Sequence, residues 1–248
     1  MIICSKLGFI VSGLAALSFA PTAQADALAD VEVVAMDKAM NSASTLVFDY
    51  QIYNQEPGKA ERTLAMTARA KGSKLLFEFS APADMAGTKV LILSPTQMYV
   101  YLPAFGKVRR IASHTKDAGF LGLAFSQDDL ATTSYGPQYT AEIISRTATR
   151  EQLVLRPKAS VDTNYAKIEV TLDKGRMLPL ELKYFSAEGV NIKTETRSNY
   201  SCAGPVCTPA EIKMTNNVKG NWTRLVRKQW QQNVSISDDV FSERSLAP

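Results

Sequence analysis

The sequence predicts a mainly β fold: a strongly curved antiparallel sheet of about 11–12 strands that curls toward a barrel, with an N-terminal helix and a lid of loop and short helical turns. Three observations predict it. Short segments dense in β-branched and aromatic residues recur at steady intervals, separated by turn residues such as Ser94-Pro95 and the stretch from Pro103 to Gly106. Within them apolar and polar residues alternate, as in Ile168, Val170 and Leu172 against Lys167, Glu169 and Thr171, so one face is buried and the other solvated. From Lys116 to Ser134 the alternation stops, yet Phe120, Leu121, Leu123, Phe125 and Leu130 persist among Gly, Ser and Asp. A connection that long and that apolar must bury its side chains, which is the behaviour of a lid or binding loop.

The elements follow in order. Between Asp26 and Asn41, residues Leu28, Val31, Val34, Ala35, Met36 and Ala39 recur at spacings of three and four, with acidic residues early and Lys38 late, which predicts an amphipathic helix. Leu46, Phe48, Tyr50 and Ile52 then share one face of a strand that ends at the turn Glu56-Pro57-Gly58-Lys59. Further strands are expected near 62–71, 74–80, 89–93, 97–102, 107–112, 139–147, 151–156, 167–173, 178–185, 190–197, 210–216 and 222–235. An apolar concave side of such a sheet needs filling, and the candidates are the first helix and the 116–134 segment.

The N-terminus addresses the chain. Lys6 precedes an apolar run from Leu7 to Ala20 and the small-x-small triplet Ala23-Gln24-Ala25, the pattern of a cleavable export signal. The run is shorter than the roughly twenty residues that cross a bilayer. Residues 1–25 are therefore expected to leave, placing a single domain, 26–248, in the periplasm. No cysteine follows the run at a cleavage position, which argues against a lipid-anchored lipoprotein. Cys202 and Cys207, separated by the four residues Ala-Gly-Pro-Val in a chain bound for an oxidising compartment, predict a disulfide across a turn; closing so short a loop stabilises by about 2 kcal/mol. With 46% hydrophobic residues the chain can bury a sizeable core, and a net charge of +4 is a weak basis for nucleic-acid binding in an exported protein. Anionic lipid or phosphate is the better match, through transient contact with a membrane surface.

Signatures of catalysis are scarce. One histidine, His114, excludes a zinc site built on a histidine pair, and no GxxxxGK loop or GxSxG elbow occurs. His114 reads as a surface residue in a polar loop, and Asp128-Asp129 as a helix-capping or solvated pair. No cofactor or metal is expected, and an enzyme acting on envelope lipids ranks last among the readings. The basic cluster Lys107, Arg109 and Arg110, with Lys116, flanks the lid and is the candidate site for an anionic head group or a partner, because the guanidinium fork suits phosphate and carboxylate. The bland alternative is a solvated hairpin face.

Several ordered segments resemble one family. Ala86-Gly87-Thr88-Lys89 with Val90-Leu91, Tyr99-Val100-Tyr101-Leu102-Pro103, Lys107-Val108-Arg109-Arg110-Ile111, Phe120-Leu121-Gly122, and Phe125 through Leu130 are similar to the exported LolA-like, outer-membrane lipoprotein-sorting group. Tyr165 to Ile168, Leu178-Pro179-Leu180, Tyr184-Phe185 with Gly189, and Asp239-Val240-Phe241-Ser242 with Leu246 continue the match to the end of the chain. The resemblance implies an unclosed barrel around an apolar cavity that receives acyl chains of lipoproteins or other lipids. It also implies a donor or acceptor, such as an inner-membrane transporter or an outer-membrane protein. The same fold serves periplasmic sensors, so an adaptor that binds a membrane partner and responds to lipid is the alternative. The chain carries Leu123-Ala124 where the family often has Ser and Asp, a greasier lid. With that cavity implied, the candidate ligand contacts are Phe48, Tyr50, Met66, Phe77, Phe79, Tyr99, Tyr101, Phe120, Leu121, Leu123, Phe125 and Leu130.

Overall fold

In a computed structural model that describes residues 22–111 and 119–247, the alternating segments pair into one antiparallel sheet whose two edges never meet. Helix α1 (Thr22–Met40) opens the described chain. Six strands follow: β1 (Thr45–Gln55), β2 (Arg62–Lys71), β3 (Lys74–Ala81), β4 (Lys89–Ser94), β5 (Gln97–Leu102) and β6 (Lys107–Arg110). A short helix, α2 (Gln127–Ala131), precedes β7 (Tyr139–Arg146), β8 (Arg150–Pro157), β9 (Lys167–Asp173), β10 (Leu178–Phe185) and β11 (Asn191–Ser198). A small hairpin, β12 (Ser201–Ala203) and β13 (Val206–Thr208), stands apart from the sheet before β14 (Glu211–Asn216) and β15 (Trp222–Gln232).

The strand order is β6-β5-β4-β3-β2-β1-β15-β14-β11-β10-β9-β8-β7, thirteen strands that coincide with the thirteen segments read from the sequence, slightly above the rounded total of 11–12; the separate β12–β13 hairpin is not among those segments. β12 and β13 have three residues each, too few for alternation to register. α1 begins at Thr22, ahead of the expected start at Asp26, and so runs through the expected cleavage junction. The order has one decisive consequence. β6 and β7 are successive strands at opposite edges, so the chain joining them must travel the width of the sheet, and its described part does so over the concave face.

Two apolar layers fill that face and a third lies behind it. Under α1, Ala29, Val33 and Met36 pack on Leu153, Leu155, Ile168, Val170 and Leu182. The helix is tied down by carboxylates: Asp37 accepts hydrogen bonds from the backbone N–H of Tyr135 and Gly136 at 2.8–3.0 Å, and Asp30 accepts one from Ala141 at 3.0 Å. Under the connection, Phe120 and Leu123 cover Ile52, Leu64, Phe79, Val90 and Ile92. On the convex side Leu76, Leu91 and Tyr101 are sealed by Phe241 and Leu246 of the C-terminal segment, which Lys71 and Lys74 hold through Asp238 at 3.1 Å each.

Candidate functional site

Between the lid and strands β1–β3 lies a cavity of about 200 Å³. Its walls are the inward rows of those strands: Phe48, Tyr50 and Ile52 on β1, Met66, Ala68 and Ala70 on β2, and Leu75, Phe77 and Phe79 on β3. Its roof is Phe120, Leu123, Phe125 and Leu130. The β2 row narrows to alanine at 68 and 70, and Ala68 lies in register between Phe48 of β1 and Phe77 of β3, so small side chains stand where the neighbouring strands carry rings. A second chamber, of about 260 Å³, continues past Met40, Leu46, Leu178 and Tyr200 to the hairpin residues Cys207 and Thr208. The two share Phe48, Tyr50, Ala70, Leu75, Leu130, Arg197 and Ile212, so they form one trough.

Charge enters the trough at Arg69 of β2 and Asp129 of α2, and most deeply from β11. On β11, Lys193 and Glu195 are buried and Arg197 nearly so, while Thr196 and Ser198 face solvent. This inward row of alternating sign sits between Leu182 and Tyr184 on β10 and Met214 and Ile212 on β14. Arg197 donates to Glu195 at 2.6 Å, and the Tyr184 hydroxyl donates to the other oxygen of that carboxylate at 2.9 Å. Burial disfavours the Arg197 cation, but Glu195, Tyr135 and Tyr200 around it together hold its pKa well above the ordinary arginine value. Arg197 therefore keeps its charge where the two chambers join.

Lys193 fastens the lid. Its ammonium donates to the Asp129 carboxylate at 2.7 Å and to the Tyr165 hydroxyl at 2.9 Å, and Tyr165 donates to the other Asp129 oxygen at 2.6 Å. Burial, and then the Asp129 charge, push the Tyr165 phenol far up, so it stays protonated and remains a donor. Asp129 also closes the capping box of α2, accepting from Ser126 N–H at 2.7 Å while the Ser126 hydroxyl accepts from Asp129 N–H at 3.3 Å. A second fastener is a ring of bonds. Ala124 N–H donates to Thr223 Oγ1 at 2.7 Å, Thr223 donates to Asn54 Oδ1 at 2.6 Å, and Asn54 Nδ2 donates to the Gly122 carbonyl at 3.1 Å.

Nine of the twelve expected contacts surround the trough: Phe48, Tyr50, Met66, Phe77, Phe79, Phe120, Leu123, Phe125 and Leu130. Leu121 packs against the lid-side cluster without reaching the cavity. Tyr99 and Tyr101 are corrected: they lie on the convex face with Leu91 and Phe241, because Met98 and Val100 take the inward positions of β5 and alternation sends the tyrosines out. Lys107, Arg109 and Arg110 are exposed on the edge strand β6, away from the trough; Arg109 lies over Phe105 at 5.1 Å and Arg110 donates to the Thr96 carbonyl at 3.0 Å. His114 and Lys116 lie outside the described residues. Asp129 takes the capping role expected of its pair and is buried, not solvated. Cys202 and Cys207 are bonded and directly opposite in the β12–β13 hairpin.

The charged row of β11 was missed because charge in a strand ordinarily marks the solvent face. The usable signal is the spacing of Lys193, Glu195 and Arg197, three charges of alternating sign on one face, with small hydroxyl residues at 194, 196 and 198 on the other.

Residues 71–248 match a protein family described as "Uncharacterized protein". No curated protein matches the sequence significantly. Among solved structures, a DUF1329 family protein from Desulfovibrio piger superposes with a TM-score of 0.82 at 22% identity, over 90% of this chain and 99% of its own. A domain described as an outer membrane lipoprotein-sorting protein, from Vibrio parahaemolyticus, gives 0.81 at 23% identity, over 89% and 99%. A LolA superfamily protein from Nitrosomonas europaea gives 0.71 at 16% identity, over 88% and 98%. At these identities the likeness is one of fold.

Proposed function

We propose that this chain, which belongs to the family matched over residues 71–248 and has the LolA-like fold, is a non-enzymatic periplasmic carrier of acyl chains. The observation that carries the reading is the trough itself: aromatic rings and alanines surround an unfilled space beneath a lid fastened by polar contacts. Each methylene that enters an apolar space is worth about 0.8 kcal/mol relative to water, so the exchange is reversible only against another apolar medium, a membrane or a second carrier. The cargo is the acyl portion of a lipoprotein or other lipid, exchanged between an inner-membrane donor and an outer-membrane acceptor. The export signal supports the periplasmic placement.

The test is uptake of a fluorescent fatty acyl probe by delipidated protein. Replacing Phe120→Asp together with Phe125→Asp puts two carboxylates under the lid, and probe binding should fall by at least about tenfold in a protein whose circular dichroism is unchanged. Unaltered uptake in a folded variant would sink the carrier reading. One observation favours the adaptor reading: Leu28, Val31 and Val34 leave an apolar stripe on α1 exposed at 44%, 62% and 60%, a surface suited to a protein partner. A single dominant membrane partner, released when lipid is added, would support it.

A further inference from the structure

We infer a second binding site, for a phosphate-bearing head group with an O–H or N–H donor, in the polar pocket on the far side of Leu123 from the apolar trough. This inference rests on the acyl-carrier reading and specifies the cargo as a phospholipid. The pocket has a volume of about 210 Å³ and is lined by Lys193, Lys219, Asn216, Asn221, Glu56 and Pro57, with Gly119, Gly122, Leu123 and Ala124 of the lid turn. Leu123 lines both cavities, so the polar pocket adjoins the trough across that one side chain.

Three features point to a ligand. Asn221 is 9% exposed, and its Oδ1 is buried with no hydrogen-bond partner among the described residues. A buried amide oxygen without a donor costs free energy that an O–H or N–H of a bound molecule would recover. Lys193 carries three N–H donors; two are committed to Asp129 and Tyr165, and none of the described residues takes the third. Lys219, exposed at the rim, makes no ion pair among the described residues. Two cations and an unmet acceptor fit a phosphate diester that also bears a hydroxyl or amine, such as phosphoglycerol or phosphoethanolamine.

The site also touches the lid. Lys193 is shared between the pocket and Asp129 on α2, so an anion bound there competes for the ammonium that holds the lid down. Head-group binding would thereby loosen the cover over the trough.

Calorimetry on the delipidated chain, with palmitoyl-lysophosphatidylglycerol, monopalmitoylglycerol and glycerol 3-phosphate as probes, tests this. The phospholipid should bind at least about tenfold more tightly than its uncharged analogue, and Lys219→Glu or Asn221→Ala should remove most of that difference while leaving monopalmitoylglycerol within about twofold. Lys219 is exposed, so its variant keeps the test valid where the Asn221 variant fails to fold. Equal affinity for the two lipids in wild type, or equal weakening of both by the variants, would overturn the site. Where neither lipid binds, the carrier reading fails by itself, and glycerol 3-phosphate then decides: saturable binding weakened by Lys219→Glu supports the pocket, and no binding refutes it. Inorganic phosphate displacing glycerol 3-phosphate at equal concentration would make this a free-phosphate site and contradict the head-group assignment.

Discussion

The two halves of the concave face are built from the same kind of strand and covered in different ways. Over β7–β10 the cover is α1, 19 residues of continuous helix whose side chains at 29, 33 and 36 interlock with leucines and valines that are 0–1% exposed. Over β1–β3 the cover is a single 3-10 turn and a five-residue helix, too short to present an interlocking face, and a trough remains beneath it. The helix is held by its packing with two carboxylates as guides; the lid is held mainly by directional polar bonds around Asp129, Lys193, Tyr165, Asn54 and Thr223. Apolar packing fills space, whereas polar fasteners position a cover and leave the space open. That difference separates a filled core from an open trough within one sheet.

Breaking a fastener should have the largest effect. Asp129→Ala strands the Lys193 ammonium in a buried setting and leaves Ser126 N–H without its side-chain acceptor in the capping box, and urea unfolding should show a loss of about 3–5 kcal/mol. The paired change Asp129→Leu with Lys193→Met should recover most of it, since two apolar side chains leave no unpaired charge. If both variants are equally unstable, the ion pair is not what holds the lid.

Enlarging one alanine in each half sharpens the contrast. Ala141→Leu, under α1, overfills a packed layer and should cost about 1–3 kcal/mol. Ala68→Leu, in the trough wall, has room and should change stability by less than about 0.5 kcal/mol while reducing acyl-probe uptake. Equal costs at the two positions would mean that the trough collapses in solution.

The smallest effect lies on the convex side. Hydrogen bonds from Lys74 and Lys71 lower the Asp238 pKa below its ordinary 3.8. A depressed carboxylate contributes stability above the unfolded-state value and loses it as pH falls through the folded one. Release of the C-terminal segment, followed by hydrogen exchange at Phe241 and Leu246, should therefore rise below about pH 4 in wild type, and Asp238→Asn should flatten that dependence.

Sheet and lid were legible because period-two alternation and its abrupt end at residue 116 are local signals. Leu178 to Tyr184 announced its buried face, and Phe120 to Leu130 could not be solvated. Which face of a strand looks inward is not local when both carry apolar residues: Tyr99 and Tyr101 look as core-like as Met98 and Val100, and only the C-terminal segment behind them, almost 140 residues on, allows them to face out. The inward charges of β11 offer only their spacing as a signal, since the partners Asp129, Tyr165 and Tyr184 that make their burial possible come from elsewhere in the chain.

Intact mass measurement under gentle conditions, on protein purified from its own envelope, tests the central claim most directly. The account predicts a bound acyl lipid, retained by wild type and by Ala141→Leu molecules that remain folded, reduced in Ala68→Leu and absent from the doubly charged lid variant. Wild-type protein that emerges empty and stays empty when lipids are offered would contradict it, leaving the trough a loosely packed core and the chain a protein-binding adaptor.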